Sequence, residues 1–81
     1  MELRVLKYFI VVATERNISN AAKILYVSQP ALSKQLKNLE EELGVTLFKR
    51  GNRNITLTED GVYFLTKAKE ILSLVDTTVA N

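Results

Sequence analysis

Apolar residues recur at helical spacing over most of this chain. Leu3, Leu6, Ile10 and Ala13 stand 3, 4 and 3 apart, with Phe9 beside them, and predict a first helix over residues 2–15. Arg16-Asn17-Ile18 interrupts the pattern. Ser19 then serves as the N-cap of a short second helix whose Ala22 and Leu25 face inward. A brief turn at Tyr26 and Val27 leads to a third helix, in which Leu32, Leu36, Leu39 and Leu43 form one stripe. Gly44 follows, the usual residue just past a helix C-terminus. The period then shortens. Leu47-Phe48-Lys49-Arg50 and Asn54-Ile55-Thr56-Leu57 are short, β-prone and partly alternating, with Gly51-Asn52-Arg53 between them, and they predict a hairpin. Thr58 caps a fourth helix with Glu59 and Asp60 in its first turn, where acids suit the macrodipole.

The only proline, Pro30, opens the third helix. A first-turn proline lacks only an N–H that the helix does not use, and its fixed φ is already helical. Ser28 is the better capping side chain, while Gln29, preceding proline, is biased towards the extended backbone of an N-cap. Local rules leave both open. At about 100° per residue, Pro30, Lys34, Lys37 and Glu41 lie opposite the leucine stripe, with Ser33 on the flank. The outward face is therefore polar and basic in its N-terminal half. It is acidic at Glu40-Glu41-Glu42, where negative charge opposes the macrodipole and would repel phosphate.

Charge sharpens this division. The net charge of +2 says little, but residues 16–58 hold seven Lys/Arg against three acids, the adjacent Glu40 to Glu42. The flanking segments are balanced or acidic. A cationic middle is the footprint of a nucleic-acid surface, although ordinary solvated charge fits the same count. A short helix, a tight turn and a second helix with a polar N-terminal face form a helix-turn-helix, whose recognition helix meets base edges from its N-terminal residues. The hairpin adds Lys49, Arg50 and Arg53 with no acid from residue 43 to 58. An arginine at such a tip suits a narrow minor groove.

Composition excludes other classes. At 81 residues and 47% hydrophobic content, one folded domain is expected. There is no cysteine and no histidine, which removes disulfides, thiolate chemistry and the commonest general base and metal ligand. Glu40, Glu41 and Glu42 fan around a helix axis and cannot converge on a metal, and no glycine-rich phosphate loop is present. No catalytic residue, metal or cofactor is expected. The longest apolar run, Tyr8 to Ala13, is too short to span a bilayer, and the N-terminus lacks a secretory pattern, so a cytoplasmic protein without membrane contact is expected.

Five segments carry a family resemblance: Ala21-Ala22-Lys23-Ile24-Leu25, Val27-Ser28-Gln29-Pro30-Ala31-Leu32-Ser33, Leu39-Glu40-Glu41-Glu42-Leu43-Gly44, Leu47-Phe48-Lys49-Arg50 and Leu57-Thr58-Glu59-Asp60-Gly61. In order and spacing the chain resembles the N-terminal DNA-binding region of LysR-type transcriptional regulators. The resemblance implies a mainly α fold, a winged helix-turn-helix of three helices and a two-stranded wing over residues 1–58. A linker helix for dimerisation follows over residues 59–81. It implies sequence-specific binding of double-stranded DNA, at a partly palindromic operator, by a bacterial regulator. The recognition helix, about residues 29–43, would enter the major groove. Gln29, Pro30, Ser33 and Lys34 would approach base edges beside Ser28. Lys37, Arg50 and Arg53 would meet backbone or minor groove from the helix and the 49–54 wing. Many members carry arginine where this chain has Lys34, and many have a more basic wing tip. The family also implies a homodimer, tetramers of full-length chains, and a small-molecule effector bound by a further domain that this chain lacks. The alternative is a winged helix that binds a protein or RNA partner.

The fourth helix supports the dimer independently. Spanning roughly 33 Å at about 1.5 Å per residue, it outruns a domain of this size. Leu65, Ala68, Leu72, Val75 and Val79 repeat at 3, 4, 3 and 4, the seam of a two-chain coil. Phe64 and Leu65 are expected to fold back on their own domain, and Val75 and Val79 to project beyond it.

Overall fold

The protein, described as a computed structural model over residues 1–51 and 54–80, follows the expected order of elements. Helix α1 spans Leu3–Glu15, α2 Ile18–Leu25 and α3 Gln29–Leu43. Strands β1 (Phe48–Arg50) and β2 (Ile55–Leu57) precede α4 (Glu59–Ala80). The strands pair antiparallel, with Phe48 opposite Leu57, Lys49 opposite Thr56 and Arg50 opposite Ile55.

Helix α1 is the hub, packing against α2, α3, α4 and β2. Its buried residues are Val5, Leu6, Phe9 and Val12, whereas Leu3 is exposed and Ile10 and Ala13 are half-buried. The stripe read from the sequence was thus displaced around the helix. A helix enclosed by four elements is apolar on adjoining faces, and spacing alone cannot choose between two overlapping stripes. On α3 the stripe holds: Leu32, Leu36 and Leu39 are buried and Leu43 is half-buried. In α2 the buried residues are Ala21 and Ala22, and Leu25 is half-buried.

Caps set the boundaries. Asn17, not Ser19, caps α2; its side chain accepts from the Asn20 N–H at 3.0 Å. Both residue types cap well, and two candidates within one turn cannot be ranked by local preference. Ser19 therefore lies inside the helix with its hydroxyl free for another partner. At α3 the cap is Ser28, accepting from the Ala31 N–H at 3.2 Å, so Gln29 and Pro30 are the first helical residues. Gly44 closes α3 at φ 73°, a conformation glycine adopts without penalty.

Four bonds seat the wing. The Ile55 N–H donates to the carbonyl of Arg16, at the left-handed end of α1, at 3.0 Å. Glu40 Oε2 accepts from the backbone N–H of Leu47 at 2.7 Å and of Phe48 at 3.4 Å. The Thr58 N–H donates to the Leu47 carbonyl at 3.0 Å. Glu40 thus has a structural task that its charge did not disclose: it ties the end of α3 to the entry of β1.

Beside that junction α4 begins. The Thr58 hydroxyl accepts from the Gly61 N–H at 2.9 Å, the predicted cap. Gly61 is buried, and a Cβ built on it would lie 2.1 Å from the Leu47 carbonyl oxygen. Alanine normally gains about 1 kcal/mol over glycine inside a helix. Here the contact is with backbone already fixed by the Thr58 bond, so the clash should outweigh that gain. Gly61→Ala is expected to destabilise the domain by about 1–3 kcal/mol in urea unfolding; equal or greater stability would contradict this packing. Glu40→Ala is expected to cost about 1–3 kcal/mol by leaving two amides without their acceptor. Hydrogen exchange should quicken at Leu47 and Phe48, and Glu40→Gln, which keeps an acceptor oxygen, should lose less. Unchanged exchange at those two amides would count against the tie.

Candidate nucleic-acid interface

The start of α3 projects its polar residues because the leucine stripe fixes which side is inward. Ser28, Gln29, Pro30, Lys34 and Lys37 are exposed, and Ser33 is half-buried. These residues fall into two rows. Gln29 and Ser33, one turn apart, face a cleft between the starts of α2 and α3 and the wing. Asn17, Ile18, Ser19, Arg50, Gly51, Asn54 and Ile55 also line it. Pro30, Lys34 and Lys37 lie on the adjoining row. The cleft joins the helix to the wing, and Arg50, exposed at the end of β1, stands at that junction. The Gly51 N–H donates to the Asn54 carbonyl at 3.1 Å, turning the chain back into β2. Arg53 lies outside the described residues.

Among the described residues, Lys34, Lys37, Lys49 and Arg50 take part in no ion pair. Their charge is uncompensated and available to a polyanion. Lys37 is the least isolated, because it borders a shallow depression that Glu40 and Glu41 also line. At the far end of α3 the acids are partly engaged: Glu40 holds the wing, and Glu42 lies 2.9 Å from the N-terminal ammonium of Met1. The basic and acidic halves read from the sequence are thus both present on the helix.

Two features of α2 are not disclosed by its local pattern. Ser19 is not the cap that its residue type suggests. Its hydroxyl instead donates to Gln29 Oε1 at 3.0 Å, linking α2 to the first residue of α3. Tyr26 lies in the expected turn. It occupies the left-handed region at φ 58° and is 95% exposed. Backbone bonds hold it there: its N–H reaches the Lys23 carbonyl at 3.3 Å, and the Val27 N–H reaches the Ala22 carbonyl at 3.1 Å. Glycine is the common residue at such a helix end, so a tyrosine there was the available signal.

The fourth helix divides its stripe between two tasks. Ala68 is 0% exposed, enclosed by its own chain, and Leu65 and Leu72 pack against the same core. These three of the five seam residues are therefore occupied within the protomer, because α1 lies alongside α4. Val75 is half-buried and Val79 is 79% exposed. Ile71 and Leu74 add exposed apolar surface on a neighbouring face. No helix among the described residues is long and apolar enough to cross a membrane.

Comparison with known proteins agrees with this geometry. Residues 3–62 match the family model described as bacterial regulatory helix-turn-helix protein, lysR family. The HTH-type transcriptional regulator BsdA of Bacillus subtilis (strain 168) is 55% identical over 73 residues, 89% of this chain and 25% of that protein. The HTH-type transcriptional regulator BudR of Klebsiella aerogenes is 54% identical over 76 residues, 94% of this chain and 53% of that protein. The chain thus spans between a quarter and about half of the length of these relatives. Among solved structures, the protein in the crystal structure of the CbnR_DBD–DNA complex superposes with a TM-score of 0.95 at 48% identity, covering 99% of this chain and 92% of that one. With the four helices, the two-stranded wing and the family motifs in register, the chain belongs to the lysR family of bacterial regulatory helix-turn-helix proteins.

Proposed function

We propose that this chain is the DNA-binding part of a bacterial transcription regulator and binds duplex DNA sequence-specifically as a two-fold dimer. The observation that carries this reading is the likeness, at TM-score 0.95 and 48% identity, to a domain crystallised with DNA. The uncompensated cations around the polar start of α3 give it a physical basis. Residues 1–58 form the reading unit and residues 59–81 the linker helix. The N-terminal half of α3 enters the major groove, with Gln29, Ser33 and Lys34 towards base edges, Pro30 towards a thymine methyl and Ser28 beside them. Lys37, Arg50 and Arg53 meet phosphates or the minor groove. The sequence offers neither histidine nor cysteine for catalysis, and the protein works in the cytoplasm, where its DNA is. In the full-length protein, further domains would add effector binding and assembly to tetramers.

The dimer forms through the projecting half of α4, by Val75 and Val79 together with Ile71 and Leu74. Two copies then present two recognition helices to two half-sites, and operator symmetry follows protein symmetry.

Duplex affinity should fall steeply with salt. Gln29→Ala should cost about 1–3 kcal/mol on the cognate site and little on random DNA; equal losses on both would remove its base-reading role. Lys37→Ala should weaken every sequence alike and lower the slope of log affinity against log salt by roughly 0.9. A salt-insensitive protein that prefers single-stranded RNA or a protein ligand would instead favour the other winged-helix reading. In sedimentation, the wild-type chain should be dimeric at concentrations on the order of 10 µM and Leu74→Asp monomeric. A wild-type monomer there would end the proposal of dimerisation through α4.

A further inference from the structure

The hydrogen bond between Ser19 and Gln29 carries a consequence for how sharply the helix reads a base. A glutamine amide has an acceptor side, Oε1, and a donor side, Nε2–H2, set about 120° apart. The Ser19 hydroxyl donates to Oε1 at 3.0 Å from the neighbouring helix, so the acceptor side is turned towards α2. Among the described residues Nε2 has no hydrogen-bond partner, and Gln29 is exposed in the cleft beside Ser33 and Arg50. Ser19 is free for this role because Asn17 caps α2 in its place.

We infer that Ser19 is a positioning residue that holds the Gln29 amide in place, so that base discrimination by Gln29 depends on Ser19. The inference rests on the DNA-binding reading proposed above. An adenine edge offers an acceptor and a donor, and its bidentate recognition needs Oε1 and Nε2 presented together. Oε1 has two lone pairs, so one can keep the Ser19 bond while the other meets the adenine amino group. Guanine offers two acceptors, N7 and O6, which the NH2 can meet, so the Ser19 bond is compatible with either base and sharpens whichever is read. The bond also removes one rotational choice before DNA arrives, so less freedom is lost on binding.

Magnitude separates the two residues. Loss of a direct base contact costs roughly 5- to 150-fold in discrimination. An exposed neutral hydrogen bond biases an orientation by only about 2- to 10-fold. Ser19→Ala should therefore relax discrimination less than Gln29→Ala does, at the same base pair.

The test is selection of bound duplex from a random pool, with the whole chain as wild type, Ser19→Ala, Ser19→Thr and Gln29→Ala, followed by affinities on the selected and random duplexes. The expected result for the wild type is one preferred base at the Gln29-dependent pair. Ser19→Ala should narrow that preference by about 2- to 10-fold. Its affinity for random DNA should fall less than its affinity for the selected duplex, and Ser19→Thr, which keeps the hydroxyl, should retain most of the preference. Ser19 is exposed and caps nothing, so an unaltered thermal midpoint separates positioning from folding. An equal loss on all sequences, or relaxation at a different base pair from that of Gln29→Ala, would overturn the inference and leave DNA recognition standing. Failure of the wild-type chain to bind any duplex would overturn both.

Discussion

The ring of Phe9 is the contact on which the placement of the other elements depends. It is completely buried in α1, and it packs against Phe48 of the wing at 5.3 Å and Phe64 of α4 at 5.2 Å between ring centres. The planes are tilted by 53° and 61°, arrangements that aromatic quadrupoles favour over a flat stack. One side chain therefore holds together a helix, a strand and a second helix that are far apart in sequence. Leu32, Leu36 and Leu39 seat α3 in the same core. The angle between the recognition helix and the wing, and so the shape of the cleft that Gln29, Ser33 and Arg50 share, is set from below by this packing.

A second constraint acts from the side. Three consecutive glutamates at a helix C-terminus disfavour the helix, and the sequence supplies no reason for them beyond keeping phosphate away. Glu40 offsets part of that cost by accepting two amide hydrogens at the entry of β1. The acidic end thereby locks the wing to the helix that it accompanies. A charge-assisted bond to backbone is stiffer than contact between flexible side chains, and it keeps the wing from swinging independently of α3.

Features whose causes are local were legible in the sequence. Pro30, Gly44 and Thr58 each act on backbone within four residues, and the structure uses all three as expected; of the two capping candidates that local rules leave open, it uses Ser28. The leucine stripe of α3 was legible because one face alone is covered. Misreadings arose where the cause lies elsewhere in the chain. The stripe of α1 was displaced because four elements surround that helix. Asn17 displaced Ser19 as a cap because both residues satisfy the same local rule. Glu40 read as surface charge because its partners are seven and eight residues onward in another element. Gln29, Ser33 and Lys34 are candidates that the sequence itself offers, but the bond between Ser19 and Gln29 crosses from α2 to α3, ten residues apart, and no spacing rule reports it.

The fourth helix shows why a periodic stripe does not by itself name its partner. Relative to Ala68, Leu72 lies about 40° around the axis, Val75 about 20° to the other side and Val79 about 20° to the same side as Leu72, so all four share one face. The first two are covered by the core of their own protomer, and the last is open. A single apolar face therefore begins as the lid of one domain and continues past its edge. The molecule is 44 Å long but only 27 and 19 Å across, and its radius of gyration is 12.5 Å. A 22-residue helix accounts for most of that length, and its far turns can gain little from their own domain. Apolar residues there lower the free energy only if another surface covers them. In the dimer proposed through those turns, the packing that anchors the near half of α4 would also fix the spacing of the two recognition helices. Rigidity within the protomer and register on a two-part site would then have the same origin.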